Sequence, residues 1–413
     1  MKKIQNAIVA PKGFLAGAVH SGIKKRRYDL TLIYSEAPCS SAGVYTRNLV
    51  KAAPCLVTKD VISKKAGVQA IVINSGNANA CTGEQGFEDA KTMVKEVEKV
   101  LNLKENTVLV ASTGVIGVPL PMDKIKEGIS KLTENLENTT QAAGRAAEGI
   151  LTTDKFIKGI AYEFEISGKP VKIGAIAKGS GMIHPNMGTM LGFVTTDCAI
   201  SNEMLQKALS DTTENTYNMI SVDGDTSTND MVLVLANGMA ENPYIETEND
   251  DYFAFKNALN EINQYLAKQI ILDGEGATKF LEAVVLGAKT EEDARKLAKT
   301  VISSNLVKTA FFGEDANWGR VLAAMGRSEA EFDTTKVKIE FISSKDETFS
   351  EAKEIVMMEN GTPLAFDEEF AHDVLENKFI KIKITLQDGE ASKTAWGCDL
   401  SYEYVRINGE YRT

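Results

Sequence analysis

The sequence predicts a mixed α/β protein built from layered sheets and helices. Three observations carry that expectation. Short β-branched apolar runs are bounded by turns, segments with helical spacing lie between them, and two strand-like stretches bracket a glycine-dense loop.

Residues 30–34, 68–74 and 107–111 are apolar, β-branched and closed by polar or glycine-containing turns, as buried strands are. Between the last two, Phe87, Ala90, Met93, Val94, Val97 and Leu101 recur every three or four positions, which predicts an amphipathic helix. Ile125, Ile129, Leu132 and Leu136 mark a second helix, and Ala142, Ala143, Ala146 and Ala147 a third running towards Leu151. Strands are expected at 171–177 and 190–195, with the loop 178–188 between them. Phe255, Leu259, Ile262 and Leu266 predict a further helix, and Thr290 with Asp293 opens another as a capping box. Ile380, Ile382, Ile384 and Leu386 alternate with Lys381, Lys383 and Thr385 before Asp388-Gly389, a half-exposed strand entering a turn. No repeat, low-complexity tract or proline-rich linker marks a domain boundary.

Composition narrows the function. At roughly 150 residues per domain, 413 residues make two to three domains' worth of chain. The balance of 46 basic against 57 acidic residues, a net charge of −11, argues against nucleic-acid or anionic-membrane partners. Pro11 and Lys12 interrupt the apolar stretch after the basic start, and no run approaches the ~20 apolar residues of a membrane span. A cytoplasmic small-molecule enzyme is expected. Cys39, Cys55, Cys81, Cys198 and Cys398 are scattered, with no Cys-x-x-Cys pair, and read as reduced thiols. His20, His184 and His372 are too few for a multi-histidine metal centre, so a nucleophile needs a base other than imidazole. Asp223, Asp225 and Asp230 outline a hard-cation loop but lack the later glutamate, and read as a hydrogen-bonded turn. No metal and no cofactor is expected.

The densest unusual stretch leads to Thr189. Gly188, without a Cβ, lets the peptide bond before it reach geometries closed to other residues. Attack of the Thr189 hydroxyl on the Gly188 carbonyl, an N-to-O acyl shift and hydrolysis would leave Thr189 as a new N-terminus. Its α-amine, with a reference pKa of about 7.7 to 8.0, could then activate its own hydroxyl. From spacing alone the plainer reading, a threonine starting a strand after a glycine turn, is preferred.

Resemblance shifts that balance. The run Lys178-Gly179-Ser180-Gly181-Met182-Ile183-His184-Pro185-Asn186-Met187-Gly188-Thr189-Met190-Leu191, followed by Thr195-Thr196-Asp197, closely resembles the self-cleavage signature of the ornithine acetyltransferase (glutamate N-acetyltransferase) family of arginine biosynthesis. Stretches at 74–83, 112–117, 151–154, 221–230, 313–320 and 408–413 resemble the same family in the same order, nearly spanning the chain. The family more often has alanine where this chain has Gly188.

The resemblance implies an ornithine acetyltransferase-like fold with a smaller second domain. It implies a cut between Gly188 and Thr189 into an α chain, 1–188, and a β chain, 189–413, that share a core and assemble as an α2β2 heterotetramer. Thr189 would be the nucleophile, and Thr113 and Gly114 the oxyanion hole. Thr152, Lys178, Thr189, Glu275, Asn408 and Thr413 would surround the substrate. The implied partners are N2-acetyl-L-ornithine and L-glutamate, with acetyl-coenzyme A a donor for some members.

Physically, Lys178 and Glu275 could supply the cation and anion that a zwitterionic substrate needs. The blander alternatives are a surface turn at Glu275, a plain Ser-Thr-Gly turn at Thr113 and Gly114, and a packing role for His184. Two other functions stay open: a self-processed aminopeptidase or amidase with an N-terminal nucleophile, and a non-catalytic amino-acid-binding module.

Overall fold

The structure is a computed structural model that describes residues 1–184 and 190–410. Its strands are β1 (Lys2–Ile4), β2 (Phe14–Val19), β3 (Leu30–Tyr45), β4 (Val68–Asn77), β5 (Val108–Val115), β6 (Lys158–Ile166), β7 (Lys169–Lys178) and β8 (Leu191–Thr196). There follow β9 (Ile220–Ser221), β10 (Met231–Ala236), β11 (Phe280–Ala288), β12 (Lys338–Ser344), β13 (Lys353–Glu359), β14 (Thr362–Pro363), β15 (Phe379–Thr385) and β16 (Ala391–Cys398). The chain divides into two compact units. The first comprises Met1–Ser180, Pro185–Asn218 and Thr226–Ile270; the second, smaller one comprises Gly181–His184, Met219–Asp225 and Ile271–Thr413.

The first unit is built on a nine-stranded sheet ordered β1-β6-β7-β8-β10-β3-β4-β5, with β2 also paired to β3. Its organising element is β3. The first part pairs β2 and β4, from Leu30↔Asn74 to Tyr34↔Ala70, whereas residues 40–45 pair β10. The β4 register breaks between Tyr34 and Cys39, around Pro38, which has no N–H to give a ladder. β3 thus passes the chain from one layer to the other.

Alternation along the strands then builds two cores. Ile33, Ile71, Ile73, Leu109 and Ala111 share one with Leu191, Phe193, Met231, Leu233 and Leu235. Leu30, Leu32, Ala70, Val72, Val108 and Val110 face the other, under Met93 and Val97 of the helix Gly83–Val100 and Ile125 and Ile129 of the helix Met122–Thr133. Burial on both faces is why these strands read as continuous apolar runs.

Next to this core, β7 and β8 pair antiparallel from Ile173↔Thr196 to Lys178↔Leu191. The chain that leaves the sheet at Lys178 therefore returns to it in the adjacent strand.

In the second unit a seven-stranded sheet runs β14-β13-β12-β15-β11-β16-β9, with the helix Glu291–Ser303 packed on β11 and β16. The predicted Thr290 cap is present, its hydroxyl accepting from the Asp293 N–H at 3.1 Å. In β15, Ile380, Ile382 and Ile384 are buried while Lys381 and Lys383 are half-exposed, the expected alternation. Among the described residues, no helix is long and apolar enough to cross a membrane.

The N-terminal turn Ala7–Val9 lies against β7 so closely that a Cβ on Gly174 would sit 1.9 Å from the Ala7 carbonyl oxygen. Gly174→Ala should therefore lower unfolding free energy by about 2 kcal/mol, the scale of core overpacking, as measured by urea denaturation.

Candidate functional site

In the first unit, Lys178 occupies the carboxyl end of β7 and Thr113 and Gly114 the end of β5. Thr152 follows the helix Thr140–Gly149. The fold-back through β3 unites them. The Lys178 ammonium donates to the Thr152 hydroxyl at 2.9 Å and to the Thr113 hydroxyl at 3.4 Å, with Lys178 and Thr113 each only 8% exposed. Residues 112–114 are not a free turn. β5 continues through them to Val115, because Ser112 is tied by its hydroxyl to Asn74 Oδ1 at 2.6 Å. Gly114 has φ +135°, and a Cβ there would come within 2.3 Å of the Gly76 carbonyl carbon, so this position needs glycine.

Asp154 holds this cluster from within. Its buried carboxylate accepts from Lys158 Nζ at 2.8 Å and from the N–H groups of Gly179 at 2.8 Å and Thr152 at 3.1 Å, with Lys178 Nζ at 3.9 Å. Burial would raise its pKa. The ammoniums of Lys178 and Lys158 outweigh burial and hold the group far below the ordinary carboxylate range.

Lys24 is a neighbour that sequence reasoning missed. Asp29, wholly buried, accepts the N–H groups of Ser21, Gly22, Ile23 and Lys24 and shapes the loop. Lys24 Nζ then reaches the carbonyls of Leu151 at 2.7 Å and Tyr28 at 2.9 Å. Burial lowers its pKa from 10.5 to about 8; Asp29 opposes this and the nearby Lys178 ammonium adds to it. In sequence it sits inside the basic run 24–27, which looks like a solvated charge patch.

In the second unit, Glu275 is 5% exposed, so its turn is not a surface feature. Its Oε2 accepts from Asn408 Nδ2 at 2.8 Å, Asn408 being exposed on the terminal helix Tyr402–Gly409. A Cβ on Gly181 would stand 2.3 Å from Glu275 Oε2, so the glycine lets backbone approach the carboxylate. Asp223 is the expected hydrogen-bonded turn. It accepts the N–H groups of Met182 at 2.6 Å and Ile183 at 2.8 Å and the Tyr404 hydroxyl at 3.2 Å. His184 Nδ1 lies 3.0 Å from Ser221 Oγ, and burial, helped by the charge of Lys299, lowers its pKa to about 4. The imidazole is thus neutral and packed.

Gly188, Thr189 and Thr413 lie outside the described residues. Among the described residues, Glu314, His372 and Glu376 are close enough to share an ion, but Lys279 Nζ already holds Glu314 at 2.9 Å.

A buried ammonium bracketed by two threonine hydroxyls, at strand ends beside an obligatory glycine, can receive both an anionic substrate group and the oxyanion of an acyl intermediate. That is the equipment of an acyltransferase. Comparison with known proteins agrees. The ArgJ family model matches residues 15–413. The arginine biosynthesis bifunctional protein ArgJ of Caldanaerobacter subterraneus subsp. tengcongensis is 52% identical over 413 residues, covering 100% of both chains. The solved structure of the arginine biosynthesis bifunctional protein ArgJ from Bacillus halodurans is 47% identical, covers 45% of this chain and 96% of its own, and has a TM-score of 0.44. That of the Mycobacterium tuberculosis ornithine acetyltransferase complexed with ornithine is 38% identical, with the same coverages and a TM-score of 0.42. The chain belongs to the ArgJ family.

Two outcomes follow from the buried charges. Asp154→Asn leaves the Lys158 and Lys178 ammoniums without their counter-charge and should cost about 3 kcal/mol in denaturant unfolding, whereas Asp154→Leu with Lys158→Met should cost less. For Lys24, the unfolded chain keeps its proton up to 10.5 and the folded chain only to about 8, so between these values the unfolded state binds more protons. The group's contribution to stability therefore rises with pH across that window. Thermal melts from pH 7.5 to 10 should show wild type gaining on Lys24→Met; a constant difference would reject the burial of this ammonium.

Proposed function

We propose that this enzyme transfers the acetyl group of N2-acetyl-L-ornithine to L-glutamate through an acetyl ester on Thr189, releasing L-ornithine and N-acetyl-L-glutamate. The chain first severs itself between Gly188 and Thr189. The pieces 1–188 and 189–413 stay associated, in an α2β2 heterotetramer. The freed α-amine of Thr189 takes the hydroxyl's proton as the hydroxyl attacks the acetyl carbonyl, and the same proton passes to the departing ornithine amine. Thr113 and Gly114 stabilise the oxyanion of both tetrahedral intermediates. Lys178 and Thr152 bind substrate, as do Glu275, Asn408 and Thr413. The amine of glutamate then attacks the ester. Whether acetyl-coenzyme A serves as a second donor is left to the assay below.

The observation that carries this reading is the Lys178 cluster. Its ammonium is bracketed by the Thr152 and Thr113 hydroxyls, on a residue paired in the sheet with Leu191, two positions after Thr189 in sequence. That pairing also supports the association of the pieces, since β7 and β8 fall on opposite sides of the cut.

Intact-mass spectrometry should give two masses for wild type and one for Thr189→Ala. A labelled acetyl group should pass from acetylornithine to glutamate in wild type alone, and glutamate acetylation with acetyl-coenzyme A as sole donor decides whether that donor is used. Acetate release as fast without glutamate would make the protein a hydrolase. Uncut protein that binds ornithine without turnover would make it a binding module.

A further inference from the structure

The strand that carries Thr113 and Gly114 lies at the end of its sheet. In the order β10-β3-β4-β5, β5 pairs with β4 alone among the described residues, so its outer edge has backbone groups that no strand serves. Side chains serve them instead. The Thr58 hydroxyl donates to the Val110 carbonyl at 2.6 Å and accepts the Val110 N–H at 2.8 Å. Two residues further, where alternation returns to the same edge, Asn229 Nδ2 donates to the Ser112 carbonyl at 2.8 Å and to the Ala78 carbonyl at 2.6 Å. The next group on this edge is the Gly114 N–H.

Asn229 is 5% exposed and its amide is held one way round, because the Thr228 hydroxyl donates to Oδ1 at 2.6 Å and leaves Nδ2 to the two carbonyls. Such a grip is needed here. The register of β4 against β5 shifts just after the pair Gly76↔Gly114, and Gly114 has φ +135°, so the ladder alone does not fix this strand end. Asn229 also stands two residues before Met231, which opens β10 and pairs with Leu191 of β8. The amide thus ties the middle of the sheet to its last strand.

We propose that Asn229 is the positioning residue of the oxyanion pair. By closing the outer edge of β5 at Ser112 it sets the peptide planes that follow, aims the Gly114 N–H and holds the Thr113 hydroxyl beside Lys178. This rests on the role given above to Thr113 and Gly114. Donors to an oxyanion lower a barrier only when they need no reorganisation during the reaction, and a strand end with a broken ladder and a glycine has freedom that must be removed. Asn229 removes it from the neighbouring loop and itself meets neither substrate nor intermediate.

Asn229→Ala, Thr113→Val and the double variant test this as a cycle, read by kcat per split chain, with splitting followed by intact mass, and by ornithine affinity from calorimetry. Thr113→Val should lower kcat about a hundredfold, as loss of an oxyanion donor does. Asn229→Ala should lower kcat about tenfold with ornithine affinity unchanged, and the double variant should fall short of the product of the two losses by about threefold or more. Losses that multiply, wild-type kcat in Asn229→Ala, or a fall in ornithine affinity matching that in kcat would each overturn the proposal. Should a variant fail to fold or to split, Thr228→Val, which removes only the donor that orients the amide, decides: kcat about threefold lower with ornithine affinity unchanged supports the assignment, and wild-type kcat overturns it. Thr113→Val at wild-type kcat sinks the proposed oxyanion role instead, which separates the two failures.

Discussion

A carboxylate shut away from water is tolerated only when enough positive charge and enough hydrogen-bond donors surround it, and the first unit is arranged around one such group. Asp154 has no exposed side-chain surface, and it takes Lys158, Lys178 and two backbone N–H groups. Two ammoniums against one carboxylate leave a surplus of positive charge, to which the Lys24 ammonium adds. In a chain of net charge −11 this is a local inversion of sign. It also explains why Lys24 gives up its proton early: burial penalises its charge, and Lys178 repels it. A buried cluster of this sign attracts negative charge, and low solvent access keeps its field strong.

The cluster depends on the path of one strand. Along the sheet, β5 and β7 are separated by β8, β10, β3 and β4, yet the Thr113 hydroxyl and the Lys178 ammonium are 3.4 Å apart. The layers close on themselves because β3 pairs β4 with one half and β10 with the other, and because the apolar residues of both halves turn into one core. Register and chemistry are therefore coupled. A slip of one residue in β4 or β5 would turn Ile71, Ile73, Leu109 and Ala111 out of that core and carry Thr113 away from Lys178.

Wherever burial followed a simple period, the fold was legible in the sequence. The runs at 30–34, 68–74, 107–111 and 171–177 are strands, and the helices marked by Phe87 to Leu101 and by Ile125 to Leu132 are present, although the second ends at Thr133 and leaves the expected Leu136 outside it. The strand ends were not legible. Residues 112–115 extend β5 with a serine, a threonine and a glycine, held by partners as remote as Asn74 and Asn229. Residues 35–45 of β3 include a proline and several serines, and their pairing depends on β10, nearly two hundred positions later. Local pattern cannot report such partners. The site divides similarly. Lys178, Thr113 and Thr152 were named through resemblance and do come together, whereas Lys24 and Asp154 acquire their interest only from burial, which composition does not disclose.

The acidic residues show this limit most clearly. Asp223, Asp225 and Asp230 look alike in sequence and suggest a single loop, yet Asp223 serves backbone N–H groups of the second unit and Asp230 belongs to the first. Asp154 and Asp230 make the sharper contrast. Both are buried, both feel the Lys178 ammonium, and their proton affinities are driven in opposite directions. Asp154 has a second ammonium at 2.8 Å and is held ionised, while at Asp230 burial outweighs the Lys178 ammonium and pushes the carboxyl upward. The number of ammoniums within hydrogen-bond reach, and not burial alone, therefore decides which way a buried carboxyl beside this cation is driven.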